Sequence, residues 1–470
     1  VRTSLAVQTS NPHGPISPAD RSLAPDVLRG CALLGILTMN VLAFGLHEAA
    51  YMNPWYKGAW SSTTSGSLDA AAYWVQSLLC DQRFMSIFAM LFGAAIVITT
   101  SRADEARTRA NASAGLSAAT IHYRRSGLLI ALGLLHAYGL WYGDILFAYG
   151  LCALWLFPAR KLRPGALIAI ASVLFVVPIV IFLALGGAMT WWYSAEIAPI
   201  AKLVSEGATL TPSQAQSWAS WQEANAQWQP TSADLVASVT AARGSLSEVW
   251  ARNAVLSLFM QGFMLPLWGV WRVTSLMMLG MALWKMGVLR GSASAGTYRW
   301  MVGVGYGAGL PLATFAILDG ISHDFAMARV YLVDANVQYV ASLLVALGHI
   351  GLIMLLVRHV APQGWAPNAS GSDASRALLS TQPGPIRLAE RALRALACVG
   401  RLSLSNYLLQ TVLMVALFTG FGLFERMSRW QLLAMLPVVW ALQVGLSAWW
   451  LSRREQGPLE GLVRAFVYRK

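Results

Sequence analysis

Asp26, Arg29 and Asn40 lie inside Leu23–Leu46, an otherwise apolar run of bilayer length. An ionised side chain at mid-bilayer costs roughly 2.5 to 3.5 kcal/mol on insertion scales, so such groups should face protein, water or a substrate path rather than lipid. The same reasoning sorts the other polar residues by depth. His136 and Asp144 flank a tight turn, Leu135-His-Ala-Tyr-Gly-Leu-Trp-Tyr-Gly-Asp144, and Asn40 ends the first span on the same side. An imidazole oriented by a carboxylate is the equipment of a general base, since the carboxylate fixes the tautomer and stabilises the charged form. The plainer alternative is a buried histidine that caps a helix end. Asp81 and Arg83 stand at the outer mouth of the second span. They either pair with each other or leave the Arg83 fork to donate to an anionic or carbonyl group. At the opposite end Arg29, Arg124, Arg125 and Arg401 converge, near Asn406 and His349, supplying the charge that a phosphate-bearing ligand needs. Topological bias also places arginines there, and Asp26 and Arg29, three apart on one helical face, can pair.

These residues need elements to hold them, and composition says which. Of 470 residues 56% are hydrophobic and 12% charged, more apolar surface than a soluble domain can bury, which makes the chain an integral membrane protein. The net charge of +13 sits in short clusters beside apolar spans, where anionic lipid and topology account for it and nucleic acid is excluded as a partner. Cys31, Cys80, Cys152 and Cys398 are scattered singly and read as small core residues. The first apolar run is too long for a cleaved signal and reads as a retained anchor.

The predicted fold is all-α, a polytopic bundle of about ten transmembrane helices near 23–46, 82–100, 124–141, 144–158, 164–188, 268–289, 298–319, 336–357, 398–419 and 430–452. Two further pieces, 68–80 and 244–270, read as half-inserted or interfacial. Connectors rich in basic residues alternate: Arg102, Arg107, Arg109, Arg124 and Arg125; Arg160, Lys161 and Arg163; Arg376, Arg387, Arg391 and Arg394. With ten spans they share a side with both termini, which the positive-inside rule makes cytoplasmic. The domains expected are a tail (1–22), an N-terminal bundle (23–188), a Trp-rich outer segment (189–267) and a C-terminal membrane domain (268–470). Within the outer segment Thr211-Pro212 and Thr231-Ser232 read as helix starts, and 361–385, rich in Pro, Gly and Ser, as a linker. Phosphate-cradling loops, paired helical histidines for zinc and the Gly-x-Ser-x-Gly elbow are all missing from the sequence, and no metal site is expected.

Several stretches are more specific: Asp26-Val-Leu-Arg29-Gly30 with Asn40, Arg83-Phe-Met-Ser-Ile-Phe-Ala-Met-Leu-Phe-Gly93, Arg124-Arg125 leading to His136 and Gly143-Asp144, Gly348-His349, Gly400-Arg401-Leu-Ser-Leu-Ser-Asn406-Tyr-Leu-Leu-Gln410, and Gly457-Pro-Leu-Glu460 with Arg464. Together they resemble the YeiB-like family of bacterial membrane proteins over nearly the whole chain. The C-terminal part of that family is a domain of unknown function, and its N-terminal half looks like the transmembrane acyltransferase superfamily. The resemblance implies transfer of an acyl group from cytoplasmic acyl-CoA, acetyl-CoA being the expected form, to a hydroxyl or amine acceptor across a bacterial inner membrane. The 189–267 segment is larger and richer in Trp than the family suggests, and Gly461-Leu replaces its usual Trp-Leu-Trp, which leaves the acceptor open among small molecules, glycans and lipids.

Carried onto this chain, His136 is the expected base, Asp144 its orienting group and Asn40, with Arg83, a donor to the thioester oxygen. Asp81, Asn406 and Gln410 are expected to contact substrate. Arg29, Arg124, Arg125 and Arg401 are expected to hold the CoA phosphates. Transfer is expected to be direct, with Ser86 or the histidine as alternative nucleophiles. The bilayer is one partner and a second copy, as a homodimer, is another to be considered. The competing function class is a transporter or exporter of a small anionic or amphipathic molecule. Paired inverted repeats with broken helices would favour it, and no clear internal repeat is visible in the sequence.

Overall fold

Leu23–Gly45 (α1) is one uninterrupted helix at the centre of the molecule. Eighteen of its 23 residues are buried, more than a lipid-facing span would show, because helices surround it. A computed structural model describes residues 23–109, 116–360 and 385–469. The tail at 1–22, nearly all of the linker at 361–385 including Arg376, and the side chains of Arg109 and Arg387 lie outside the described residues.

The described chain is helical throughout, and eight stretches are long and apolar enough to cross a bilayer. The two other spans read from the sequence are also helices. Ala118–Gly139 (α4) is 22 residues long and carries His122, Arg124, Arg125 and His136. Leu146–Leu156 (α5) has only 11 residues, about 16 Å at 1.5 Å per residue, half a hydrocarbon core. The expected span at 144–158 is therefore shorter than its apolar run, because Asp144 and Ile145 belong to the turn and Pro158 opens a 3-10 turn.

The Trp-rich connector differs from its expected form at both ends. The helix Pro164–Trp192 (α6) runs on through Ala198–Ser205 (α7), and the one ending at Lys285 begins with Leu246–Phe259 (α10); at 42 and 40 residues each is about 60 Å long, twice the hydrocarbon thickness. π-helical turns at Tyr193–Ile197 and Met260–Gly269 carry these helices onward, the second of them through Pro266. Between them stand Pro212–Ala226 (α8) and Ser232–Arg243 (α9), started as expected by Thr211 and Thr231, each in a reciprocal cap with Gln214 or Asp234. Trp191 and Trp250 are exposed, whereas Trp228 is buried and donates to Phe325 O at 2.8 Å.

The two ends of the bundle are distinct. At one, Arg160 pairs with Asp104 at 2.8 Å, Lys285 donates to Arg160 O at 2.7 Å, and Arg124 donates to Arg469 O. At the other, Glu425 gathers the backbone N–H of His47, the Tyr56 hydroxyl and Lys57, while Arg252 pairs with Glu48. Burial is the main influence on the His47 imidazole and holds its pKa below the usual value, against the opposing pull of Glu48 and Glu425. That suits its bond, in which Nδ1 accepts from Ala49 N at 3.2 Å.

The C-terminal region is packed into the N-terminal one. Pro385–Arg401 (α14, after α11 Val270–Lys285, α12 Ala295–Ser322 and α13 Ala335–Val360) crosses α1 so closely that a Cβ on Gly30 would stand 2.0 Å from Leu396 O, and one on Gly400 1.9 Å from Asp26 O. Only glycine permits this backbone contact.

Candidate functional site

His136 lies in the last turn of α4 and Asp144 just ahead of α5; the tight turn between them folds the second helix back on the first. The imidazole is 2% exposed. Its Nδ1 is 2.9 Å from Asp144 Oδ2, and Asp144 Oδ1 accepts from Phe147 N at 2.7 Å, capping α5. The two atoms make an ion-pair contact without hydrogen-bond alignment; a carboxylate beside Nδ1 favours the proton on that nitrogen, which leaves Nε2 as the basic one. Facing Nε2 at 2.9 Å is the hydroxyl of Thr411, from Ser403–Val415 (α15). Thr411 was missed in the sequence because only the fold brings it here, across a separation of 275 residues. The Tyr407 ring lies 5.1 Å from the imidazole, and its hydroxyl accepts from Ile145 N at 3.2 Å.

Asn406 and Gln410, expected to meet substrate, are occupied in this structure. Asn406 donates to Ser447 Oγ at 2.8 Å, and Gln410 to Gln443 Oε1 at 3.0 Å and to Leu33 O at 3.3 Å. These bonds fasten α15 to α1 and to Arg429–Leu451 (α16). Glu460, of the Gly-Pro-Leu-Glu stretch, accepts from Leu404 N and Ser405 N at 2.8 and 3.1 Å, a carboxylate cap on the α15 N-terminus. Asn40 is half-buried on α1 and makes no side-chain hydrogen bond among the described residues.

A second polar region lies on another side of α1. Thr64–Val75 (α2) continues through a π-helical turn to Cys80, and the helix is then interrupted: Gln82 has φ +60°, and Arg83–Arg109 (α3) begins after it. The half-inserted helix expected at 68–80 is this first piece. The interruption is deep in the span. Phe84 packs on Gly35, and Gln76 donates to Thr38 O at 2.6 Å, about 15 and 10 Å respectively along α1 from its Gly45 end.

Arg83 is 0% exposed; it donates to Asp81 O, and its Nη1 is 3.9 Å from Asp81 Oδ2, a loose pair. Its Nε and Nη2 have no hydrogen-bond partner among the described residues. Arg272 on α11 is also 0% exposed. Its Nη2 donates to Ser86 and Ser342, each at 2.8 Å, and its guanidinium lies 4.5 Å from the Tyr339 ring centre, while Nε and Nη1 are unpartnered. Buried donors left unmade cost about 1 to 3 kcal/mol each, more when charged. Arg272 was overlooked although the rule that singles out Arg29, a charge inside an apolar run, applies to Val270-Trp-Arg272-Val-Thr-Ser-Leu as well.

Tyr51, in the 3-10 turn after α1, has 37% of its surface uncovered. The Asp81 side chain is 16% exposed.

The expected phosphate-binding arginines are only partly gathered. Arg29 bonds Asp26 at 3.0 Å, Arg125 stacks over Phe92 at 5.2 Å, and Arg124 and Arg401 donate to backbone carbonyls of Arg469 and Glu455. His349 is held by Tyr306 Oη at 2.7 Å and Leu79 O at 2.9 Å. Among the described residues no three His, Cys, Asp or Glu side chains gather as a metal cage.

Comparison with known proteins supports the resemblance read from the motifs. Residues 383–470 match the family described as a protein of unknown function (DUF418). The chain is 28% identical to the uncharacterized protein YeiB of Escherichia coli (strain K12) over 96% of its own length and 97% of that protein. It is also 28% identical to the uncharacterized protein YxaH of Bacillus subtilis (strain 168), over 32% of this chain and 35% of the relative. An uncharacterized 39.9 kDa protein from the amylase 3' region of Bacillus acidopullulyticus is 35% identical over 18% of the chain and 24% of its own length. No solved structure matches.

Proposed function

We propose that this YeiB-like membrane protein is an intramembrane acyltransferase that passes an acyl group from cytoplasmic acyl-CoA to a hydroxyl or amine acceptor at the other face of a bacterial inner membrane. The observation that carries the reading is the seating of His136 between Asp144 and Thr411. Nε2 is basic, oriented and engaged with a hydroxyl at 2.9 Å, the position an acceptor hydroxyl takes when it displaces that contact. The acceptor oxygen attacks the thioester carbonyl as its proton passes to Nε2. The carbon–sulfur bond then breaks, and the leaving thiolate recovers the proton as free thiol. Asp144 keeps the ring in its productive tautomer and steadies the imidazolium. Of the two expected donors to the thioester oxygen, Asn40 is retained: it is half-buried and makes no side-chain hydrogen bond among the described residues. Arg83 has no contact with His136 and belongs to the other polar region. The arginines at the Arg124–Arg401 end supply the cytoplasmic charge for the CoA phosphates. The test is thiol release from acetyl-CoA by purified protein in lipid vesicles. Wild-type protein releases thiol and His136→Ala does not, at equal insertion; full activity in the variant rejects the assignment.

Transport is a second reading, favoured by one observation: the helix interruption at Asp81–Gln82, deep in the span and flanked by buried charges. Discontinuous helices of this kind line substrate paths in transporters.

A further inference from the structure

We propose that the interruption between α2 and α3 is a binding site for a small anionic group, a carboxylate or a phosphate, held by Arg83, Arg272 and the N-terminus of α3. The site is separate from the His136 pair and stands whether the protein transfers or transports. Three independent features meet there. The first is the charge: two guanidinium groups against one carboxylate, Asp81, leave the region net positive within the span. The second is unmet hydrogen bonding, since Nε and Nη2 of Arg83 and Nε and Nη1 of Arg272 lack partners among the described residues, as does the hydroxyl of Tyr339. The third is incomplete burial at the edge of the site, where Tyr51 is 37% and the Asp81 side chain 16% exposed. The first turn of the 27-residue α3 adds backbone N–H groups and the positive end of its dipole.

The arrangement favours an oxygen anion over a cation or a neutral group. A guanidinium fork matches paired oxygens, and Arg272 is already fixed in direction by Ser86 and Ser342. Both hydroxyls have other acceptors, Gln82 O at 2.6 Å and Tyr339 O at 2.7 Å, so they orient the arginine without depending on it.

The same chemistry comes from a dissolved anion or from a lipid headgroup, and one experiment separates them. The full chain, purified into phosphatidylcholine nanodiscs, is titrated with sodium phosphate or sodium acetate against chloride at constant ionic strength, with unfolding temperature as readout. A parallel sample carries phosphatidylglycerol in the discs. Phosphate or acetate is expected to raise the unfolding temperature saturably and chloride is not. Arg272→Met is expected to abolish the response and Arg272→Lys to shift its midpoint tenfold or more. A dissolved ligand leaves the response equal in both discs; a headgroup ligand raises the phosphatidylglycerol baseline and blunts the titration. No response to either anion in either disc, an equal effect of chloride, or an unchanged response in both Arg272 variants overturns the proposal. Should the methionine variant fail to insert, the lysine midpoint alone decides.

Discussion

The two polar regions beside α1 are level with each other and built on opposite principles. Leu33 O receives Gln410, and Gly35 receives Phe84; two residues apart on a helix, they point to opposite sides. Around His136 most polar side chains have hydrogen-bond partners, imidazole Nε2 with the Thr411 hydroxyl, Asn406 with Ser447 and Gln410 with Gln443, while Nδ1 and Asp144 Oδ2 face each other at 2.9 Å as an ion-pair contact without hydrogen-bond alignment. Around Arg83 and Arg272 buried donors outnumber their partners. A satisfied network rigidifies, which is what a base that must be oriented requires. An unsatisfied one stores binding capacity, which is what a ligand site requires.

This contrast can be broken by mutation. The largest effect is expected at the base: His136→Ala should lower thiol release from acetyl-CoA by about 10²- to 10⁴-fold, with Asp144→Asn also impaired at unchanged insertion. Next is the structural cost of opening the satisfied side. Gln410→Leu removes the bonds to Gln443 and Leu33 O and should destabilise the protein by about 1 to 3 kcal/mol, read as a lower unfolding temperature. On the other side Arg272→Met should leave that temperature unchanged or raised, because a buried charge with incomplete partners is often replaced by an apolar chain at no net cost and Ser86 and Ser342 keep their other acceptors. Equal destabilisation by the two variants would erase the distinction. The smallest effect provides a control outside both regions. His47, held neutral in the folded protein, has its pKa lowered from 6.5, so its contribution to stability is complete above that value and is lost as pH falls below it. His47→Asn, which can still cap Ala49 N, should flatten the pH dependence of unfolding between about pH 5 and 7.

The legibility of these regions in the sequence follows from the distance between their parts. His136 and Asp144 were readable as a pair because eight residues and a tight turn separate them, so local geometry suffices. The caps at Thr211 and Thr231 were readable for the same reason. Thr411, Ser86 and Ser342 meet their partners across 275, 186 and 70 residues, and no periodicity reports such separations. Asn406, Gln410 and Glu460 stood out as a motif, but polar residues that bind a ligand and polar residues that bolt helices together look identical until neighbours are placed. Helices stand at every expected place, while bounds were misjudged where Leu402 divides the expected 398–419 between Pro385–Arg401 and Ser403–Val415, where a turn residue shortened α5 and where π-helical turns carried two helices beyond a bilayer's thickness.

Glycine against backbone at the crossing of α1 and α14 ties together parts of the chain that a family boundary at residue 383 would divide. The segment beyond that boundary supplies the threonine and tyrosine that complete the surroundings of a histidine lying nearly 250 residues upstream of it. Cut away and studied by itself, it would be one half of a lock whose keyhole is formed only when the other half closes over it, and a function sought in that fragment alone would be sought in the wrong unit.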